Sequence, residues 1–287
     1  KYFGFTPFMR VFYKHSVGAG LPKYSYHGFD YVDALFGFTG RECGDEKLSY
    51  AGRLSFKSAV ALDRPEPLEP VEITPGQPRL SAVAMYIEQD KPGELITMND
   101  EDYKWRGIKQ YWLKEDFRTQ EPNLKGAREN EKTKAELYLL PKGTRFRASI
   151  RFDRLHRDEL GLLLAALTWP KHQTIGKGKP YGAGCVTFSN IKLRLDTMRF
   201  DLTDYFAAPF AEVDESEFES YIQAFLAEMK DVCEDVRESL PVRVYLAMRE
   251  RPYDFDTGYM PLSGPRNAAS YQMMLPLPTA GELLGMV

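Results

Sequence analysis

The sequence predicts an α+β fold, and three consecutive stretches carry this prediction. Residues 145–152 alternate apolar and basic side chains with the two-residue period of a strand that buries one face. Residues 153–169 repeat leucines at helical spacing, and Pro170 ends the pattern. Residues 184–196 return to apolar side chains at strand spacing. Strand, helix, glycine-rich loop and strand follow one another here, which is the order of the second half of a ferredoxin-like βαββαβ unit.

Shorter elements precede this unit. Aromatic residues within 2–13 predict a strand, and residues 50–62 predict another. Apolar residues at helical spacing within 29–38 predict a short helix that ends at Gly37 or Gly40, because glycine is the preferred residue after a helix end.

A change of composition divides the chain into two predicted parts. Residues 1–199 are interpreted as one ferredoxin-like domain with two inserted loops, a proline-rich loop at 63–80 and a polar, charged loop at 119–135. Residues 200–287 are interpreted as an acidic helical extension, within which residues 201–238 predict one long amphipathic helix. Because the sequence starts without Met and already has the composition of structured chain, we expect that its natural N-terminal part is missing.

The composition restricts the possible function classes. The net charge is −3 at pH 7 and the isoelectric point is about 5.9, so binding of nucleic acid requires a local basic patch. The four histidines lack metal-ligand spacing and the three cysteines form no CxxC pair, so we expect no metal and no cofactor. Three scattered cysteines also fit a reducing cytoplasm. No apolar run is long enough to span a bilayer, so no membrane partner is expected.

The stretch HQTIGKGKPYGAGCVTF, residues 172–188, is the first candidate site. It lacks the P-loop pattern, and it leads into a strand rather than a helix, which excludes a dinucleotide-binding turn. Residues 171–195 carry five lysines and arginines and no acid, so backbone N–H groups together with Lys177 and Lys179 could hold an anion. The alternative is a tight turn that packs against the sheet and leaves its lysines solvated.

The stretch WRGIKQYW, residues 105–112, is the second candidate site because it interleaves aromatic and basic side chains. Four of its side chains could stack on bases or meet phosphates: Arg106, Lys109, Tyr111 and Trp112. The alternative is a hairpin whose tryptophans enter the core.

Four arginines are candidates for the same surface. They are Arg53 and the basic side of the strand predicted at 145–152, namely Arg145, Arg147 and Arg151. For each of them the alternative is a strand residue that faces solvent.

Catalysis has less support in the sequence. No nucleophile-elbow or zinc-protease motif is present. His15 or His172 could act as the general base for attack by an RNA 2′-hydroxyl, so these two histidines are catalytic candidates.

Four motifs follow one another along residues 2–195. They are a short helix ending in LFG, a GRLSF strand, an RGIKQYW segment and the loop GKGKPYGAG. In this order the motifs resemble the RAMP superfamily of CRISPR-associated proteins, in particular the type III proteins that form the crRNA-binding backbone. The resemblance implies an RRM-like, ferredoxin-like fold that holds guide RNA across its sheet and glycine loop. Recognition would depend on the RNA backbone and shape more than on base sequence.

The resemblance also implies roles for individual residues. In the glycine loop the RNA-binding positions are Gly176, Lys177, Gly178, Lys179, Tyr181, Gly182 and Gly184; outside the loop they are Arg53, Arg106, Lys109, Tyr111 and Trp112. The implied partners are crRNA, target RNA and other CRISPR effector subunits, in cytoplasmic antiviral defence.

Two family features do not transfer to this chain. The target-cleaving aspartate belongs to an N-terminal half that we expect to be missing. A cysteine-rich zinc site precedes the LFG motif in many members, but residues 30–37 contain no cysteine.

Two other functions stay open at this point. A metal-independent endoribonuclease that processes CRISPR repeat RNA would also carry a glycine-rich loop, and it would need His15, His172 or a lysine as acid–base catalyst. An interaction module that does not bind RNA would associate through the acidic helix of the extension.

Overall fold

The structure is a computed structural model that describes residues 13–21, 28–43, 46–73, 86–90, 95–117, 134–196, 210–253 and 278–286. These ranges contain five α-helices and twelve short strands, which confirms the predicted mixture of helix and strand. The helices are α1 (Tyr31–Phe36), α2 (Arg157–Thr168), α3 (Phe218–Glu228), α4 (Leu240–Glu250) and α5 (Ala280–Leu284). The strands are β1 (Gly37–Cys43), β2 (Glu46–Ala51), β3 (Leu54–Phe56), β4 (Val60–Ala61), β5 (Val71–Ile73), β6 (Ala135–Leu137), β7 (Phe146–Arg147), β8 (Ile150–Phe152), β9 (Gln173–Thr174), β10 (Cys185–Val186), β11 (Leu193–Asp196) and β12 (Phe210–Val213).

The strands pair two by two. All six pairs are antiparallel: β1–β2, β3–β8, β4–β7, β5–β6, β9–β10 and β11–β12. The strand predicted at 50–62 is divided into the end of β2, β3 and β4, and β3 and β4 find their partners in the strand predicted at 145–152. Among the described residues these pairs do not join into a four-stranded sheet, so the ferredoxin-like arrangement stays a prediction.

The LFG and GRLSF motifs form one tight junction between α1 and β3. The predicted helix end at Gly37 is confirmed, and Gly37 has φ of +72°, a conformation that favours glycine. A Cβ on Gly37 would collide with the Tyr50 carbonyl oxygen, and a Cβ on Gly52 would lie 2.6 Å from the Phe36 carbonyl oxygen. The two glycines are therefore needed because the backbones touch where the two motifs meet.

Helices α2 and α3 pack against each other and form the largest described core. Its buried members are Leu160, Leu164, Ala165, Leu193, Phe218 and Ile222. Gly161 permits the close approach, because a Cβ there would collide with the Tyr221 carbonyl oxygen of α3. Burial of about five large apolar side chains stabilises such a pair by roughly 1.5–3 kcal/mol each before the entropy of ordering is subtracted. Strand β11 contributes Leu193 to this core, so the extension and the preceding domain share it.

The single long helix predicted within 201–238 is wrong. Helix α3 ends at Glu228, a 3-10 turn over Met229–Asp231 follows, and α4 is a separate helix. The break has a local cause: the Asp235 carboxylate accepts hydrogen bonds from the backbone N–H groups of Arg237 and Glu238. Such side-chain-to-backbone hydrogen bonds compete with the backbone hydrogen bonds of a helix. They form here at the adjacent acids Glu234 and Asp235, where the apolar stripe of the predicted helix is interrupted.

The extension contacts the preceding domain along its described length. Strand β12 pairs with β11, and α3 packs on α2. The first predicted inserted loop contains β5, so part of it is a strand paired with β6. The boundary at residue 199, residues 2–12 of the predicted first strand and residues 119–133 of the second inserted loop lie outside the described residues.

Candidate RNA interface

The glycine loop is a structured hairpin. Strands β9 and β10 form its base, and the Ile175 N–H donates to the Gly184 carbonyl oxygen at 2.8 Å. The loop closes on itself again where the Ala183 N–H donates to the Gly178 carbonyl oxygen at 3.1 Å. Four glycines have positive φ: Gly176, Gly178, Gly182 and Gly184. A flexible turn is therefore a poor description, because the glycines hold specific left-handed positions.

Tyr181 anchors this loop in the core. It is only 2% exposed and belongs to a cluster with Ile73 of β5 and Leu137 of β6. The Phe117 ring packs at its edge, with ring centroids 6.5 Å apart. A ring that is buried to this extent has no free face for a base, so the geometry favours anchoring over the stacking role that the resemblance implies.

Acids from the extension neutralise part of the basic strip at 171–195. The Lys171 Nζ lies 3.0 Å from the Glu250 carboxylate, and Lys192 lies 2.8 Å from Glu212. Arg194 shares Glu212 at 3.5 Å. The hydrogen bond from Lys192 lowers the pKa of Glu212, so this carboxylate stays charged at neutral pH. No local sequence signal predicts this pairing, since both acids come from residues beyond 199.

Two lysines of the strip keep an unmatched charge. Lys177 is exposed and Lys179 is half-buried, and neither forms an ion pair within the part of the chain that the structure describes. Both lysines lie in the loop that the glycine hairpin closes. They are next to the backbone N–H groups of glycines that have left-handed conformations. The positive field of the strip is therefore concentrated at the loop that the sequence singled out.

The basic–aromatic segment, residues 105–114, lies partly in the core and partly on the surface. Trp105 packs beside Tyr103, and its indole N–H donates to the Val17 carbonyl oxygen at 3.0 Å. Trp112 makes an edge contact with Tyr253, with ring centroids 5.3 Å apart. Both tryptophans are half-buried and make packing contacts, which agrees with the alternative interpretation in part. The hairpin that it expected is not formed, since residues 106–112 form no strand.

The charged residues of the segment have partners of their own. The Lys109 ammonium lies 5.7 Å from the centre of the Tyr111 ring, and Arg106 lies 3.4 Å from the Glu282 carboxylate of α5. Gly107 has φ of +120° with open space on its Cβ side, and the following residue, Ile108, is almost fully exposed. Residues 107–109 therefore present a surface bend between two anchored tryptophans.

The structure brings the glycine loop and the basic–aromatic segment together. A Cβ on Gly182 would lie 2.6 Å from the Asp116 carbonyl oxygen and 3.2 Å from the Lys114 Cβ. Leu113, which lies in the sequence between Trp112 and this contact, is almost completely buried. Two motifs that are about 70 residues apart in the sequence thus come into contact at Gly182.

Arg53 is tied to internal groups rather than presented to solvent. Its Nε donates to the Ala34 carbonyl oxygen at 2.8 Å, and Nη1 donates to the Arg154 carbonyl oxygen at 2.9 Å. Its Nη2 forms an ion pair with Glu159, which raises the pKa of Arg53. Glu159 also caps α2, because it accepts from the His156 N–H at 2.7 Å. The geometry therefore favours a structural role for Arg53 at the junction of α1, β3 and α2.

The predicted arginines are exposed, but the predicted apolar face is only partly buried. Phe146 and Ala148 are exposed as well, and Ile150 and Phe152 are half-buried, since residues 148–149 interrupt the predicted strand between β7 and β8. Arg145 lies 3.3 Å from Asp63, whereas Arg147 and Arg151 make no ion pair with any described residue. In the antiparallel register Arg147 lies opposite Val60 in one strand pair, and Arg151 lies opposite Ser55 in another.

The two candidate histidines lie in different surroundings. The His15 backbone N–H donates to the Met98 carbonyl oxygen at 3.1 Å, beside the Tyr103 cluster. His172 lies at the base of the glycine hairpin, and its Nδ1 is 2.9 Å from the Thr187 hydroxyl. Within the described ranges no three His, Cys, Asp or Glu side chains are grouped to hold a metal ion.

No protein-family model matches the sequence, and a search of curated proteins finds no similar sequence. None of the helices described above is long and apolar enough to cross a membrane.

Proposed function

We propose that this chain is a CRISPR-associated RAMP protein that binds crRNA as a subunit of a type III effector ribonucleoprotein in antiviral defence. Its partners are crRNA, target RNA and other effector subunits. The four ordered motifs support the proposal from the sequence. We also propose that α2 and the paired strands β3 and β8 belong to a ferredoxin-like unit, because β8 leads directly into α2 and the core under α2 includes Phe152.

One structural observation carries the proposal. The glycine hairpin meets residues 114–116 at Gly182, and it carries Lys177 and Lys179 without acid partners among the described residues. Single-stranded RNA presents a row of phosphates, and close backbone N–H groups with nearby lysines bind phosphates without reading bases. A guide-binding subunit needs this kind of recognition, because it must accept guides of any sequence.

Titration of labelled crRNA-like RNA tests the proposal. The double variant Lys177→Ala/Lys179→Ala should bind more weakly, and its plot of log affinity against log salt should be less steep by about 1.4, about 0.7 for each lost phosphate contact. The double variant Lys57→Ala/Lys230→Ala is the matched control, because it removes the same charge from exposed positions outside the hairpin. Equal affinity and equal salt dependence in all three proteins would refute the assignment of the glycine loop.

A second candidate function has one observation in its favour. His172 lies at the base of the glycine hairpin, where an imidazole could accept the proton of a 2′-hydroxyl held by the loop. The chain would then be a metal-independent endoribonuclease that processes CRISPR repeat RNA. Site-specific cleavage of repeat RNA in EDTA, lost in His172→Ala and kept in His15→Ala, would support it, whereas intact RNA excludes it.

A further inference from the structure

Arg249, near the end of α4, is a buried charge without an acid partner. Its residue is 2% exposed, and no described carboxylate pairs with it. A charge that is removed from water destabilises the fold unless other groups compensate it. The charge of Arg249 is compensated by two hydrogen-bond acceptors and one aromatic ring, and all three belong to residues around the candidate interface.

The guanidinium of Arg249 bonds to the basic–aromatic segment. Its Nη1 donates to the Tyr111 carbonyl oxygen at 3.1 Å, and its Nη2 donates to the Gln110 side-chain oxygen at 2.9 Å. Just beyond α4, the Tyr253 N–H donates to the Leu113 carbonyl oxygen at 3.0 Å. The end of α4 therefore holds the segment at the carbonyl oxygens of Tyr111 and Leu113 and at the Gln110 side chain.

The last two turns of α4 also bond to the glycine hairpin. The Arg249 carbonyl oxygen accepts from the His172 backbone N–H at 3.1 Å. The Tyr245 hydroxyl, one helical turn earlier, donates to the Gln173 side-chain oxygen at 2.9 Å, and its ring lies 5.3 Å from the Arg249 guanidinium. One residue thus links the base of the hairpin through its backbone and the basic–aromatic segment through its side chain.

We infer that Arg249 is a positioning residue for RNA binding. It holds the basic–aromatic segment at a fixed position beside the glycine hairpin, so that basic side chains of both can contact one RNA strand. The acidic extension therefore belongs to the RNA site, in addition to any contact with neighbouring subunits. This inference rests on the proposed function for its RNA-binding consequence, but its structural half can be tested without RNA.

The structural half is tested by 19F NMR of the full chain labelled with 5-fluorotryptophan. The chain has three tryptophans, and Trp112 lies on the segment that Arg249 holds. The variant Arg249→Met, which is similar in length and uncharged, should shift or broaden the Trp112 resonance. The matched control is Arg237→Met, because Arg237 lies over the Trp169 ring at 5.4 Å, so only the Trp169 resonance should move.

The RNA half is tested by titration of the same variants with crRNA-like RNA. Arg249→Met removes both charge-assisted hydrogen bonds that position the segment. RNA binding should weaken by about tenfold because the segment is no longer held, and its salt dependence should be unchanged because Arg249 touches no phosphate. Arg249→Lys should not restore affinity, since a lysine lacks the planar fork that bonds to Gln110 and Tyr111 together. If Arg249→Met does not fold, Gln110→Ala replaces it, because Gln110 is exposed and its removal deletes one of the two bonds.

Three results would overturn the inference. They are an unmoved Trp112 resonance, unchanged RNA affinity despite a moved resonance, and a reduced salt dependence that would make Arg249 itself a phosphate ligand. Wild-type protein that binds no RNA while Trp112 still moves would refute the proposed function and, with it, the RNA-binding role of Arg249. It would leave the link between α4 and the segment established.

Discussion

Gly182 lies directly against the backbone of Asp116: a Cβ on the glycine would be only 2.6 Å from the Asp116 carbonyl oxygen. This contact joins the glycine hairpin to the end of the basic–aromatic segment. It also explains why a glycine occupies a position that has φ of +97° and no room for a side chain.

We predict that Gly182→Ala destabilises the protein more than Gly176→Ala does. Both positions have positive φ, so an alanine costs about 1–2 kcal/mol of backbone strain at either one. Gly176 has open space on its Cβ side, whereas Gly182 does not, and overpacking adds roughly 1–3 kcal/mol. Urea denaturation of the two variants measures the difference, and equal stabilities would contradict the contact with Asp116.

We predict that Arg53 contributes to stability rather than to RNA binding. Arg53→Ala leaves the buried Glu159 without its partner, and breaking a buried ion pair costs roughly 3–5 kcal/mol. Arg151→Ala, on the strand that pairs with β3, removes an exposed arginine and should change stability by at most about 0.5 kcal/mol. Thermal denaturation separates these outcomes. A folded Arg53→Ala variant with a less steep salt dependence of RNA binding would instead place Arg53 on the RNA.

Local sequence patterns predicted the elements whose cause is local. The helix end at Gly37 follows from the backbone freedom of glycine. The arginines of residues 145–152 are exposed as predicted, but Phe146 and Ala148, which the same alternation assigned to the buried face, are exposed too. The positions of Lys177 and Lys179 on a glycine-rich hairpin could also be anticipated, because the closing residues lie close in sequence.

Long-range packing decided what the sequence could not predict. Tyr181 is buried because β5 and β6, from far earlier in the chain, surround it. Arg53 is engaged because α2 brings Glu159 to it across 106 positions. Arg249 belongs to no sequence motif. Its only signal in the sequence is that it is an arginine within an apolar helix, and an arginine that faces solvent would give the same pattern.

We predict that the stability contributed by Asp33 depends on pH. Two hydrogen bonds of 2.5 Å from Arg41 hold the pKa of the Asp33 carboxyl below its usual value. A folded-state pKa that is lower than the unfolded one contributes stability above the unfolded pKa of about 3.9, and this contribution is lost as pH falls through the folded pKa. Asp33→Asn should therefore lower stability at neutral pH, and the difference should shrink below about pH 4.

Urea denaturation at neutral pH and at about pH 3 measures this difference. Asp153→Asn is the control, because Asp153 is mostly exposed and its contact with Arg154 is 3.5 Å long. A difference between wild type and Asp33→Asn that is the same at both pH values would contradict the assigned ion pair.

We predict that acids of the extension limit where RNA binds along the basic strip. Glu250 and Glu212 neutralise Lys171, Lys192 and Arg194. Within the basic strip, all of which the structure describes, Lys177 and Lys179 of the glycine hairpin keep an unmatched charge. In the double variant Glu212→Gln/Glu250→Gln these three cations become available to phosphates. RNA affinity should rise by roughly threefold to tenfold at low salt, and its salt dependence should become steeper, since more counterions are released.

The double variant Glu228→Gln/Glu234→Gln is the matched control for this change in net charge. Both glutamates are exposed and neither pairs with a lysine or arginine in the described ranges. Their replacement can therefore change RNA affinity only through the net charge of the protein. An equal gain of affinity in both double variants would mean that net charge alone governs binding. A gain confined to Glu212→Gln/Glu250→Gln, and abolished when Lys192→Ala is added, would show that the extension sets the length of strip that RNA can reach.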